Sequence, residues 1–252
     1  MKFKPFIILF FAFAVFSCKN EHHNLIKIEG KQIPITDSLN SNTEVETYVK
    51  PFREHVENDL DNVLSYSIKT YSKRNGEFNT AIGNFMADAV YEEANPVFKN
   101  RTGKDIDMVI LNYGGIRSII SKGDITSRTA YEIMPFENSI VVVALNGKII
   151  NALVDYLIRA KRAHPISKLK LTVDKDFNVV KALINDKEID TTKTYYVATN
   201  DYLYSGGDNM TFFKPNDSLY DLNYKIRNAL IDYFKKTDTI KPVIDDRFIQ
   251  IK

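Results

Sequence analysis

Asp107-Met108-Val109-Ile110-Leu111-Asn112-Tyr113-Gly114-Gly115-Ile116-Arg117 is the stretch from which both the fold and the site are read. Its first five residues are densely apolar and read as a short strand covered on both faces. At the strand's end two consecutive glycines are bracketed by Asn112 and Arg117. Glycine permits positive φ and lets a backbone approach a ligand closely. Arginine presents a planar fork that matches a carboxylate or a phosphate. A plain turn explains the glycines, but not the amide and the guanidinium on either side of them. Taken alone, a turn and an anion site are equally good readings.

Upstream of this stretch, residues 80–93 carry Ile82, Phe85, Met86, Ala89 and Val90 at helical spacing, and Asn95-Pro96 is expected to end that helix. Leu64, Tyr66 and Ile68 alternate with Ser65, Ser67 and Lys69, the period of a half-buried strand. From Thr43 onward Val45, Tyr48, Val49, Phe52, Val56 and Leu60 share one helical face, and Pro51 should kink that helix or mark its start. Downstream, residues 139–145 read as a strand and Asn146-Gly147 as a turn. Residues 148–163 read as a helix with Ile149, Ala152, Leu153, Tyr156 and Leu157 on one face. Residues 169–173 and 179–184 read as paired strands, 195–199 as a strand, 222–234 as a helix and 247–251 as a last strand. No internal repeat interrupts this order. It predicts an α/β fold of the α+β kind, one domain over residues 43–252 with a largely antiparallel or mixed sheet and flanking helices.

Two further segments carry chemistry. Tyr202 and Tyr204 lie beside Gly206-Gly207, and Asp208 follows. An aromatic ring can stack on a base, and a carboxylate can accept hydrogen bonds from ribose hydroxyls. Taken alone, a Gly-Gly-Asp surface loop with tyrosines packed inward explains this segment somewhat better. Met134-Pro135-Phe136 either anchors a loop to the core or presents Phe136 as the second face of an aromatic clamp.

Taken together the segments resemble the C-terminal domain of the 5′-nucleotidase family, extracytoplasmic hydrolases of nucleoside monophosphates and nucleotide sugars. The matching stretches are Ile82-Gly83-Asn84-Phe85-Met86-Ala87-Asp88-Ala89, residues 111–118, Gly123-Asp124-Ile125-Thr126, Met134-Pro135-Phe136-Glu137-Asn138, Leu145-Asn146-Gly147-Lys148 and residues 198–208. They occur in the family's order from about Asn62 onward. The resemblance implies that Phe136 and Tyr202 sandwich the base, with tyrosine where the family usually has phenylalanine. It implies that Asp208 binds ribose, with Gly207 beside it, and that Asn112, Gly114, Gly115 and Arg117 form the phosphate corner. Tyr113 stands where the turn's first glycine is usual, and is expected to narrow or reshape that corner. The family holds phosphate with further arginines. Lys73 and Arg74 lie near the right distance, with Lys99 and Arg101 as weaker candidates, and solvated cations are the default for all four.

The N-terminus carries a different signal. Two lysines precede an unbroken apolar run over residues 6–16, too short to span a bilayer comfortably and laid out like an export signal. The run ends at Val15-Phe16-Ser17-Cys18, which resembles a bacterial lipobox with Cys18 as the lipidated residue. An ordinary signal peptide removed together with Cys18 is the alternative. Residues 1–18 are thus expected to be a signal and residues 19–42 a tether, with a short strand over residues 25–28. Lys19 follows the cysteine in place of an inner-membrane retention aspartate, so the outer membrane is mildly preferred. Cys18 is the sole cysteine, so a disulfide and Cys-ligated zinc are both excluded. A net charge of +2 makes no general case for nucleic acid.

In the resembled family a separate metallophosphoesterase domain performs hydrolysis, with Asp-x-His, Gly-Asn-His-Glu/Asp and His-x-His motifs around two metals. This sequence contains none of them. His22 and His23 read as linker, and His55 and His164 as solvent-facing structural residues. Asp59 and Asp61 read as solvated capping carboxylates. No catalytic residue, metal ligand or cofactor is therefore expected on this chain. The expectation is a nucleotide-recognition half that works with a separately encoded metallophosphoesterase carrying the divalent metals. The alternative is a non-catalytic nucleoside- or nucleotide-binding surface lipoprotein, and a third reading is a domain kept only as an interaction module.

Overall fold

The computed structural model describes residues 24–36 and 38–251. Cys18, with the signal and lipobox reading, and the pair His22-His23 lie outside the described residues. The chain divides between Tyr48 and Val49 into two units. In the first, residues 24–36 form neither helix nor strand, so the strand expected over residues 25–28 is absent. Helix α1 (Thr43–Asp61) is continuous through Pro51. Its start is set by Asn42, whose side-chain oxygen accepts from the N–H groups of Glu44 and Val45 at 3.0 and 3.2 Å. None of its residues is buried, against the inward face that its spacing suggested.

The second unit is built around a five-stranded sheet, in the order β10-β4-β9-β2-β5. Its strands are β2 (Met108–Ile110), β4 (Ser139–Asn146), β5 (Ile166–Ser167), β9 (Thr194–Asn200) and β10 (Ser218–Lys225). β2 and β9 run parallel, and the other neighbours are antiparallel. The near-continuous apolar run of β4 reflects cover on both faces. Ile140 and Val142 enter one core with helices α2 (Ala81–Thr102) and α6 (Ile226–Lys236). Val141, Val143 and Leu145 enter a second core with helix α4 (Gly147–Ala160) and strand β6 (Leu169–Val173). β6 belongs to a four-stranded sheet with β7 (Val179–Ile184), β8 (Lys187–Glu188) and β12 (Phe248–Gln250). A three-stranded sheet joins β1 (Val63–Ser67), β3 (Gly123–Thr126) and β11 (Thr239–Ile240). The α/β class with mixed sheets holds, although three sheets replace the single one expected.

Several boundaries moved for identifiable reasons. α2 does not stop at Pro96. Pro96 lies on the exposed side while Ala94 and Phe98 are fully buried, so core packing carries the helix onward. It ends at Gly103, whose φ of 72° favours glycine and whose N–H bonds Lys99 O. The expected helix over residues 222–234 begins only at Ile226. Leu222, Ile226 and Leu230 keep a helical spacing straight across the strand-to-helix junction, so periodicity could not mark it. In β1 the alternation is correct, but Tyr66 and Ile68 face out while Leu64 only partly packs against the core. Ser65 and Ser67 are the buried positions, bonded through their hydroxyls to Thr237 O and Lys69 O at 2.6 and 2.7 Å. Strand β3 and helix α3 (Ser127–Ile133), which starts at a Thr126/Thr129 capping box, had no assignment from the pattern.

The topology fixes where a site can form. Parallel β2 and β9 end on the same sheet edge, the place where open α/β sheets offer a crevice. Antiparallel β4 begins at that edge, with Ile140 opposite Asn200. The glycine turn after β2, residues 200–208 after β9 and the Phe136 loop before β4 therefore converge.

Candidate functional site

These three segments enclose a cleft of about 290 Å³. It is lined by Asn112, Gly114, Gly115, Arg117, Phe136, Asn138, Tyr202 and Asp208. Of the eight residues that the resemblance assigns to base, ribose and phosphate, Gly207 alone is not itself part of the lining, and Asn138 is the addition. The aromatic side chains are open to solvent on this face, Phe136 at 39% and Tyr202 at 46% exposure.

Asn112 is buried at the end of β2 in extended backbone, and starts a 3-10 turn over Tyr113–Gly115. The two glycines of this turn are not in the left-handed region, so the conformational reason expected for them does not apply. For Gly115 the reason is close approach, whereas a Cβ on Gly114 would make only ordinary van der Waals contacts. A Cβ on Gly115 would lie 2.9 Å from Asn112 Oδ1 and 3.3 Å from Met134 Cε, and one on Gly114 3.9 Å from Asp208 Oδ2. Arg117 is anchored through its backbone N–H to Ile133 O at 2.9 Å. Its guanidinium reaches 5.7 Å from the Phe136 ring centroid and has no carboxylate partner among the described residues.

On the β9 side, Asn200 caps the short helix α5 (Asp201–Tyr204) by accepting from Leu203 N–H at 2.7 Å. Gly206, with φ 96°, then turns the chain. Gly207 lies against the Tyr202 ring, where a Cβ would fall within 2.4–2.6 Å of three ring carbons. Asp208 and Asn209 hold left-handed backbone at φ 50° and 60°, an uncommon conformation that clusters at functional sites. Asp208 is tied by Tyr202, whose hydroxyl donates to Oδ1 at 3.2 Å, and by Tyr156, whose hydroxyl donates to the Asp208 carbonyl at 2.9 Å.

The additional cations separate cleanly. Lys73 donates to Ile116 O at 2.6 Å and lies 4.6 Å over the Tyr113 ring, beside the glycine turn. Burial, followed by the charges of Arg117 and Arg74, holds its ammonium below the ordinary lysine range. Lys99 pairs with Asp105 at 3.1 Å and Arg101 donates to Asp221 O, both at the C-terminal end of α2, so neither joins the cleft. Tyr113 does not line the cleft either. It faces an adjoining cavity, so it does not narrow the Arg117 corner as expected.

His164 is a second correction. It is 5% exposed rather than solvent-facing, and its Nδ1 accepts the Tyr113 N–H at 3.3 Å. Burial pushes its pKa below the ordinary imidazole value, against opposing contributions from Asp208 and a backbone hydrogen bond at Leu111. His55, by contrast, is exposed and pairs with Asp59 at 3.6 Å. Asp61 binds Arg128 in a two-point ion pair at 2.6 and 3.1 Å, a partner that the capping reading did not foresee.

The pattern also missed Arg227. Its buried guanidinium is ion-paired to Glu137, donates to Phe136 O at 3.4 Å and lies 4.1 Å over the Tyr131 ring. Lys225 donates to Glu137 O at 2.7 Å, and Ile226 N–H to Asn138 O at 3.1 Å. The β10–α6 junction thus clamps the Phe136 loop from beneath. Only the Pro-Phe-Glu-Asn segment itself was legible, because its clamp lies some 90 residues later.

The fold and this cleft define an α/β domain that gathers two aromatic faces, a carboxylate and an unpaired guanidinium at one sheet edge. The chain belongs to the 5′-nucleotidase, C-terminal domain family, whose sequence model matches residues 58–215. An apyrase of Tabanus yao is 24% identical over 241 residues, covering 87% of this chain and 44% of the relative. A trifunctional nucleotide phosphoesterase protein of Bacillus subtilis is 25% identical over 245 residues, covering 87% and 16%. The crystal structure of a 5′-nucleotidase precursor from Thermus thermophilus superposes with a TM-score of 0.67 at 22% identity, over 82% of this chain and 42% of that one. The chain therefore spans less than half the length of these relatives. Among the described residues, no group of three or more His, Cys, Asp or Glu side chains is placed to hold a metal ion, and no helix is long and apolar enough to cross a membrane.

Proposed function

We propose that this domain is the substrate-recognition half of a 5′-nucleotidase-type hydrolase, and that it works with a metallophosphoesterase on a separate chain. The observation that carries the reading is the convergence of Phe136, Tyr202, Asp208 and Arg117 on one cleft. The aromatic rings take the faces of a nucleobase. The Asp208 carboxylate accepts from ribose hydroxyls, and Arg117 forks onto the phosphate of a nucleoside monophosphate or nucleotide sugar. Asn112 offers an amide donor and acceptor beside that approach, Gly114 and Gly115 keep the turn's backbone bare, and Gly207 makes room for the Tyr202 ring. The described residues offer no donor set that fits a dinuclear metal centre, so no hydrolytic step is assigned to this chain. When bound by a partner, such metals would polarise the phosphate and generate the attacking hydroxide. The run ending at Cys18 supports export and a lipid anchor in the cell envelope, with the outer membrane preferred.

Calorimetry with adenosine and AMP tests the recognition role. Micromolar binding that Phe136→Ala and Asp208→Ala abolish is the expected result, and unchanged affinity in both variants would refute it. Mixing the chain with a metallophosphoesterase and Mn²⁺ or Zn²⁺ tests the partnership, since AMP hydrolysis should require both chains. Binding of AMP that never leads to turnover with any such partner would favour the non-catalytic binding lipoprotein instead.

A further inference from the structure

A second cavity, of about 540 Å³, adjoins the first. Gly114 and Asp208 line both, so the Asp208 carboxylate stands in the partition between them. The far walls are Arg159, Arg162, Tyr113, Tyr156 and His164. Neither arginine has an ion-pair partner among the described residues, and the Arg162 guanidinium lies 5.9 Å from the Tyr113 ring centroid. Lys73, outside the lining, lies 4.6 Å from the centroid of the same ring. His164 is buried, which pushes its pKa down, so the cavity's permanent positive charge belongs to the two arginines. Asp208 is the one carboxylate in the lining.

Arg159 lies in the last turn of α4 and Arg162 just beyond, where a helix C-terminus by itself favours cations. That preference explains their sign. It does not explain a cavity that shares its wall with the cleft.

We propose that this cavity is a second anion subsite, taking a phosphate esterified to the 2′- or 3′-oxygen of the ribose held at Asp208. The proposal rests on the nucleotide reading of the first cleft. Asp208 would repel a phosphate in direct contact, but it can accept one of the two vicinal ribose hydroxyls. The neighbouring oxygen then points past the carboxylate, and a phosphate one ester bond further out reaches the arginines. A guanidinium fork suits a phosphate dianion better than an ammonium does. The ligand class is thus a nucleoside bisphosphate, with its 5′-phosphate at Arg117 and its second phosphate at Arg159 and Arg162.

The test is calorimetry on the full chain at constant salt, with adenosine, AMP, adenosine 2′,5′-bisphosphate and adenosine 3′,5′-bisphosphate as probes. At least one bisphosphate should bind tenfold or more tighter than AMP. The double variant Arg159→Gln/Arg162→Gln should erase that gain and leave AMP affinity unchanged. Two bisphosphates that bind no tighter than AMP would overturn the subsite while the first cleft stands. A double variant that weakens AMP and bisphosphate equally would overturn it too. Failure of adenosine and AMP to bind at all would remove both readings together.

Discussion

Gly207 and Tyr202 are in such close register that a Cβ on the glycine would sit 2.4 Å from the Tyr202 Cε1 atom. The ring therefore packs directly against bare backbone, and its hydroxyl is held by Asp208 one residue further on. The aromatic face and the carboxylate of the proposed nucleotide cleft are thereby set by one turn. Gly207→Ala should push the ring out of place without disturbing the sheets. Stacking of a base on an aromatic side chain is worth about 1–3 kcal/mol. Adenosine affinity should fall by the corresponding factor, about 5- to 150-fold. Calorimetry reads this directly, and an alanine variant that binds adenosine as tightly as the parent would show that the ring position is irrelevant.

Arg117 separates phosphate from nucleoside recognition. With no carboxylate to neutralise it among the described residues, its guanidinium is available to an anion at the glycine turn. Hydrogen bonds to charged groups contribute about 1.5–3 kcal/mol. Arg117→Ala should therefore weaken AMP by roughly 10- to 150-fold and leave adenosine nearly unaffected. Equal loss for both ligands in paired titrations would place the phosphate elsewhere.

The readable part of this protein was the part governed by local chemistry. The dense apolar run of β2 and the β6–β7 hairpin are specified by neighbouring residues, and each formed as expected, whereas the turn read at Asn146-Gly147 is the cap and first residue of α4. What failed depended on distant cover. Ser65, on the buried serine face of β1, finds its hydroxyl's partner only in the segment after α6. α2 passes Pro96 because Phe98 is needed in the core. In the cleft, Asn112, Arg117, Phe136, Tyr202 and Asp208 were legible because each sits at a strand end marked by glycine or proline. Arg227, Tyr156 and His164 were not, since their roles arise only from through-space contacts with those residues.

Asn84, in the Gly83-Asn84 segment that helps identify the family, acts in closing the fold and lies outside the cleft. Its buried amide donates to Asn79 Oδ1 and to Val243 O, both at 2.9 Å, joining the start of α2 to the segment before β12. Removing one partner and leaving buried acceptors unmet costs about 1–3 kcal/mol. A domain of this size loses about 2–4 °C in Tm per kcal/mol. Asn84→Ala should thus lower Tm by several degrees while adenosine affinity in the folded protein stays at the parent value. A variant with unchanged Tm but lost affinity would move Asn84 into the binding machinery.

His164 gives the proposed site a pH-dependent foundation. Buried behind Tyr113, its imidazole has a folded pKa lowered below its ordinary value of 6.5. The unfolded chain therefore takes up the proton first as pH falls. In that window the unfolded state binds more protons than the folded state, so stability rises with pH. The contribution is complete above the unfolded value and is lost progressively as pH drops below 6.5 towards the folded one. Urea denaturation at pH 7.5 and 5.5 should show this loss in the parent protein. His164→Gln keeps a donor and an acceptor but cannot titrate, so its midpoint should change less between the two pH values. Because Tyr113 N–H bonds directly to the imidazole, the same window should loosen the glycine turn and weaken AMP binding more in the parent than in the variant. Identical pH dependence of the two proteins, in both midpoint and affinity, would show that the buried imidazole is not linked to the turn.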